Sequence, residues 1–148
     1  MEKIRKLPIG VQDFEKLILD GFIYVDKTEY IYSLVRSGAP YFLSRPRRFG
    51  KSLLLSTLRA YWEGKKELFK GLAIEKLSEG DSDAFLPHPV FYFDFNKDSF
   101  SRADALELVL EEHLQAWEKE YNIDKPAETL AARFRSLIEK AYEQTGRG

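Results

Sequence analysis

Cysteine is absent from all 148 residues, which removes disulfides and thiolate metal sites together and fits a reducing compartment. Also lacking is any apolar run near the roughly 18 residues a bilayer-crossing helix needs, and the opening Met1 to Lys6 leads into none. No membrane partner is expected, and the expected location is the cytoplasm. Neither sign of charge dominates: the formal net charge is -1, so no global field draws the chain to nucleic acid, and any such binding has to be local. Histidine occurs only 2 times, with no spacing to an acid that suggests zinc, and nothing resembles a nucleophile triad. The most informative absence is local. From Tyr30 to Trp62 there is no acid, although Arg36, Arg45, Arg47, Arg48, Lys51 and Arg59 all fall in that span.

Hydrophobic residues make up 44% of the chain, with Phe 11 and Tyr 8 among them, enough for a real core in one domain-sized chain. Asp13 to Asp20 carries Phe14, Leu17 and Ile18 at helical spacing before Gly21, which predicts a short helix. Phe22 to Val25 is β-branched and aromatic, a brief strand or extended connector. Asp26 then stands three residues before Glu29, a capping-box-like start for a helix through Arg36 that Gly38 stops.

Pro40 precedes the apolar Tyr41 to Ser44, which reads as a buried strand of a parallel sheet, and Leu53 to Trp62 reads as a helix ended by Gly64. A short helix near Leu68 and a polar loop over Ser78 to Asp83 follow. Val90 to Phe95 is the clearest strand. Leu106, Val109, Leu110, His113, Leu114 and Trp117 then recur at helical spacing, with Ser101 or Asp104 as cap. A last helix is predicted from Asp124 and Pro126, burying Leu130, Phe134, Leu137, Ile138 and Ala141. Strands separated by helices of this length imply an α/β class with right-handed crossovers. The expected architecture is a partial parallel sheet flanked by helices, like that of P-loop nucleotide hydrolases, with residues 1–38 leading into a core over residues 39–148.

Between the expected strand and helix lies Arg45-Pro46-Arg47-Arg48-Phe49-Gly50-Lys51-Ser52-Leu53, the candidate phosphate-binding set. A loop holds phosphates by aiming backbone N–H groups at them from the positive end of a helix dipole, and needs no side chain where the backbone comes closest. Gly50 meets that need. Lys51 would reach the β- and γ-phosphates of a nucleotide as the catalytic cation, and Ser52 would give its hydroxyl to magnesium. A full Walker A pattern has glycine where this chain has Arg45. Other readings of the loop stand beside this one: Arg47 and Arg48 as merely a solvated loop, the same arginines paired with acids on the C-terminal helices, and a clamp on a nucleic-acid backbone with Phe49 as its only aromatic. Asp94 ends the Val90 strand, where an acid could hold magnesium through water or could cap a turn with Asn96 and Asp98. His113, on an apolar helix face, reads as a packed core residue.

Leu7-Pro8-Ile9-Gly10-Val11-Gln12-Asp13-Phe14, Tyr24-Val25-Asp26-Lys27-Thr28, the run Phe42 to Ser52 and Phe93-Asp94-Phe95 together resemble the bacterial AAA-ATPase-like proteins, P-loop ATPases often fused to a C-terminal PD-(D/E)XK nuclease-like domain. In that family an arginine at the Arg45 position is normal. The resemblance implies ATP and Mg2+ as cofactors, a nucleotide as partner, and nucleic acid as a possible partner through the nuclease-like domain. It also implies a later Walker B strand ending in Asp-Glu-Tyr-Asp, which these residues do not contain. Asp94 is then an acid near the site and not the principal magnesium ligand. The chain is expected to be an N-terminal piece that binds ATP and hydrolyses little of it. The Tyr24 to Thr28 segment is the expected place for the base.

Overall fold

The computed structural model describes residues 6–95 and 104–147, in two compact units, Met1–Pro87 and His88–Gly148.

In the first unit, α1 (Phe14–Leu19) starts where the Asp13 carboxylate accepts the Lys16 N–H at 2.9 Å. The second helix, α2 (Thr28–Ser37), ends at Gly38 in the left-handed region, where lack of a side chain removes the steric cost. The third, α3 (Lys51–Trp62), begins at Gly50 and is followed by a 3-10 turn (Lys66–Phe69) and the short α4 (Ala73–Leu77). Here α1 packs on α3 and on the 3-10 turn, while α2 packs on α4 and α3. Their shared core holds Phe14, Ile31, Tyr61, Leu68, Phe69, Ile74 and Phe85. Rings meet at 4.8 Å for Phe14 and Phe69 and at 4.7 Å for Tyr61 and Phe85, and burial on this scale dominates the unit's stability. A buried polar tie joins α1 to α3: the Phe14 N–H donates to Ser56 Oγ at 2.9 Å. On the unit's surface Lys65 pairs with Glu15 at 2.6 Å.

In the second unit α5 (Ala105–Glu120) packs against α6 (Leu130–Thr145). Phe91 and Phe93 set their rings edge-on to Trp117, at 5.0 and 4.9 Å, and both also approach Phe134 at 5.6 Å. His113 is packed as expected, stacked on Trp117, with Nε2 at 3.3 Å from both the Asp94 N–H nitrogen and the Asp94 carbonyl oxygen.

The expected α/β class is overturned. Among the described residues there is no strand and no sheet, only an isolated parallel bridge between Lys6 and Phe22. Neither Tyr41 to Ser44 nor Val90 to Phe95 forms a strand. A strand is a relation between two backbones, and an apolar run reports only that side chains want cover. Phe91 and Phe93 find that cover on helices. Tyr41 to Leu43 is not buried at all: Phe42 is 94% exposed. Accordingly α3 packs among helices and not on a sheet, and its Leu55 faces outward.

Four further expectations are corrected. No capping box forms at α2, because Asp26 bonds the Thr28 N–H and hydroxyl and the N-cap Lys27 makes no side-chain cap. Ser78, in the stretch read as an exposed loop, is buried. The last helix starts at Leu130, several residues after Pro126, and is capped by Thr129, whose hydroxyl accepts the Ala132 N–H at 3.3 Å. Asp104 stands at the N-cap of α5 with no side-chain cap bond, while Ser101, Asn96 and Asp98 lie outside the described residues.

Candidate functional site

The loop closes through two left-handed residues. Arg48 and Gly50 both have positive φ, +67° and +77°, at no steric cost for the glycine and against the ordinary preference of the arginine, and Lys51 follows in the first turn of α3. A Cβ built on Gly50 would meet nothing within 4 Å, which leaves the backbone open to close approach. The start of α3 has no side-chain cap and no acid in its first turn. Its leading N–H groups therefore present the partial positive charge of the helix end outward.

Lys51 folds back over this turn, and its Nζ donates to the Arg45 carbonyl oxygen at 2.5 Å. Arg45, Arg47 and Arg48 are exposed, whereas Lys51, Ser52 and Leu53 are partly covered. Among the described residues none of these four cations is ion-paired, unlike Arg36, which pairs with Asp81. Pro46 and Phe49 complete the exposed turn.

Beside the turn opens a cleft of about 670 Å³, lined on one side by Arg45, Phe49, Gly50, Leu53 and Leu54 and on the other by Tyr24, Val25, Lys27, Tyr30 and Leu34. Its walls carry two cations and no acid. The Tyr24 ring stands edge-on to Phe14 at 5.3 Å, and burial pushes its ionisation upward. Apolar walls next to a cationic rim suit an anionic ligand with a flat apolar part.

The structure thus brings Arg45, Pro46, Arg47, Arg48, Phe49, Gly50, Lys51, Ser52 and Leu53 together in one turn at the start of α3. Asp94 belongs to the second unit, half-buried beside His113. Sequence reasoning missed the partners of Asp26 and Thr28, which reach α4. The Asp26 Oδ2 accepts the Ala73 N–H at 2.7 Å and Thr28 Oγ1 accepts the Ile74 N–H at 3.0 Å. The Asp-x-Thr spacing signals a local turn, but no short-range signal reveals an acceptor for a helix 46 and 47 residues away.

Among the described residues no helix is long and apolar enough to cross a membrane. A protein from Azotobacter chroococcum mcd 1, described as an uncharacterized protein in the vnfD 5' region, is 38% identical over 143 residues. That match covers 96% of this chain and 27% of the relative, so the chain spans about a quarter of the relative's length. No solved structure matches. The family model described as predicted AAA-ATPase runs from residue 8 to residue 148, across the basic turn and both units, and the chain belongs to that AAA-ATPase-like family.

Proposed function

We propose that the turn from Arg45 to Leu53 binds the phosphates of ATP. The observation that carries this reading is the Lys51 ammonium folded over an uncapped, acid-free helix start, next to a cleft with no acid in its walls. A triphosphate would replace the Arg45 carbonyl as the partner of Lys51, with the N–H groups of Lys51, Ser52 and Leu53 pointing at it and Arg45, Arg47 and Arg48 neutralising its remaining charge. Magnesium takes oxygen ligands and bridges phosphates, and the Ser52 hydroxyl in the first turn of α3 offers it one oxygen. The metal would spread the charge of the terminal phosphate, while Lys51 stabilises the phosphoryl group as charge shifts during transfer. Tyr30, Leu34 and Leu53 give the base and ribose an apolar seat. In a protein of the relative's length, hydrolysis at this site would drive a conformational change. The chain as it stands binds ATP and turns over more slowly than about one per second, a typical lower figure for enzymes.

The test is titration of a fluorescent ATP analogue with magnesium against the unsubstituted chain and Lys51→Ala. A hydrogen bond to a charged group is worth about 1.5–3 kcal/mol, so the variant should bind about ten- to a hundredfold more weakly. Equal affinities would remove the reading.

A second reading rests on the exposure of Arg45, Arg47 and Arg48, which also suits a nucleic-acid backbone. The two separate on salt and metal. Backbone binding weakens steeply with added salt, roughly one unit of log-log slope per phosphate contacted, whereas ATP binding through Ser52 responds to magnesium and is lost in Ser52→Ala.

A further inference from the structure

The segment Tyr24 to Thr28 has no sheet to hold it, yet it forms one wall of the cleft. What holds it is a clasp to α4. Asp26 Oδ1 accepts from the Thr28 N–H at 2.9 Å and from the Thr28 hydroxyl at 2.7 Å, which fixes the two side chains relative to each other. The pair then takes the first two N–H groups of α4: Ala73 donates to Asp26 Oδ2 at 2.7 Å and Ile74 to Thr28 Oγ1 at 3.0 Å. Leu72, at the N-cap of α4, supplies no side-chain cap of its own. A helix start is thus completed by side chains from a distant segment, and the segment is pinned in return.

Thr28 is fully buried, and Ile74, just inside the clasp, belongs to the core. The pinned residues alternate with those that face the cleft: Tyr24, Val25, Lys27 and Tyr30 line it, while Asp26 and Thr28 turn to α4. The opposite wall is on α3, where Leu53 and Leu54 line the cleft. The position of the Tyr24 to Tyr30 wall therefore depends on its clasp to α4.

We infer that Asp26 and Thr28 are positioning residues, which touch no ligand but hold the Tyr24 to Tyr30 wall where a nucleoside can enter between it and Phe49. The inference rests on the nucleotide reading above and adds to it which residues shape the nucleoside side of that site. It separates the two halves of a nucleotide: the Arg45 to Leu53 turn is local to α3 and does not depend on the clasp, whereas the base seat does.

The experiment is calorimetric titration of the chain with magnesium ATP and with inorganic tripolyphosphate, for the parent, Thr28→Val, Thr28→Ser and Lys51→Ala. Thr28→Val keeps the shape and removes the hydroxyl that takes the Ile74 N–H; Thr28→Ser keeps the hydroxyl. Letting the wall loosen re-introduces the ordering cost of a few side chains, so Thr28→Val should weaken ATP about five- to tenfold while tripolyphosphate binding holds. Thr28→Ser should restore the parent affinity for ATP, and Lys51→Ala should weaken both ligands. A merely structural role would move both ligands together. Equal weakening of ATP and tripolyphosphate in Thr28→Val, or no weakening of ATP, overturns the inference while leaving the phosphate site standing. A parent chain that binds tripolyphosphate and not ATP also overturns it, and a parent that binds neither removes the nucleotide reading and this one with it. Should Thr28→Val fail to fold, Asp26→Asn answers the same question, since it weakens the acceptor for Ala73 at an exposed residue.

Discussion

Arg133 and Glu118 form a bidentate pair between α6 and α5, Nε to Oε1 at 2.7 Å and Nη2 to Oε2 at 2.8 Å. Both side chains are less than a tenth exposed. The Glu118 hydrogen bonds raise the already high ionisation of the Arg133 guanidinium against the opposing effect of burial. Removing one partner of such a pair strands the other charge away from water, at a cost of about 3–5 kcal/mol. Glu111 reaches Arg133 at 3.4 Å from a side chain that is nearly half exposed, so it offsets little of that, less than about 1 kcal/mol. Arg133→Met should therefore destabilise the second unit by about 3–5 kcal/mol, and Glu118→Met similarly, whereas the double variant, apolar on both sides, should lie within about 1 kcal/mol of the parent. Urea unfolding reads this through Trp117, which packs on Phe91 and Phe93. The chain has 2 tryptophans, and a Trp62→Phe background leaves Trp117 as the sole reporter. A single substitution costing under about 1 kcal/mol would mean that the pair behaves as a screened surface pair, and the reasoning would fail.

Gly50 and Gly38 make a matched test of the turn. Both have positive φ and both have nothing within 4 Å of a built Cβ, so alanine at either should cost about 1–2 kcal/mol of backbone strain, measured by urea midpoint. Only Gly50 lies where phosphate would approach the backbone, so Gly50→Ala should also lose ATP affinity and Gly38→Ala should not. Acid should loosen the first unit through Asp26. Burial raises its carboxyl, but the N–H groups of Thr28 and Ala73 and the Thr28 hydroxyl outweigh this and hold it below the ordinary range. A depressed carboxyl contributes stability that is complete above its unfolded value of about 3.9 and is lost as pH falls through the lower folded value. The urea midpoint should therefore hold from about pH 7 to 5 and fall below about pH 4, less steeply in Asp26→Asn than in the parent. Parallel declines would show that Asp26 contributes nothing. The exposure of Asp26 keeps the effect small.

Features decided within one helical turn were legible in the sequence. A short helix from Asp13 before Gly21, the end of α2 at Gly38 and a helix opening after the Gly50 turn each depend on neighbours a few residues away. Helix faces were read less well. The apolar stripe on α6 was drawn through Ile138, which is 47% exposed, while the buried line runs Arg133, Leu137, Ala141. A stripe drawn from hydrophobicity cannot include an arginine whose burial depends on a glutamate in the neighbouring helix. Partners distant in sequence were not legible at all. Whether an apolar run becomes a strand, as Tyr41 to Ser44 and Val90 to Phe95 do not, is fixed by what lies beside it, and so is the clasp of Asp26 and Thr28 on α4. The candidate site divides along the same line. Its phosphate half is one contiguous turn whose chemistry can be read residue by residue, since the backbone N–H groups, the glycine and the lysine are all local. Its nucleoside half is a gap between walls set by contacts over more than forty residues. Specificity for the base should therefore respond to substitutions in α4 and its clasp, while affinity for phosphate responds to the turn alone.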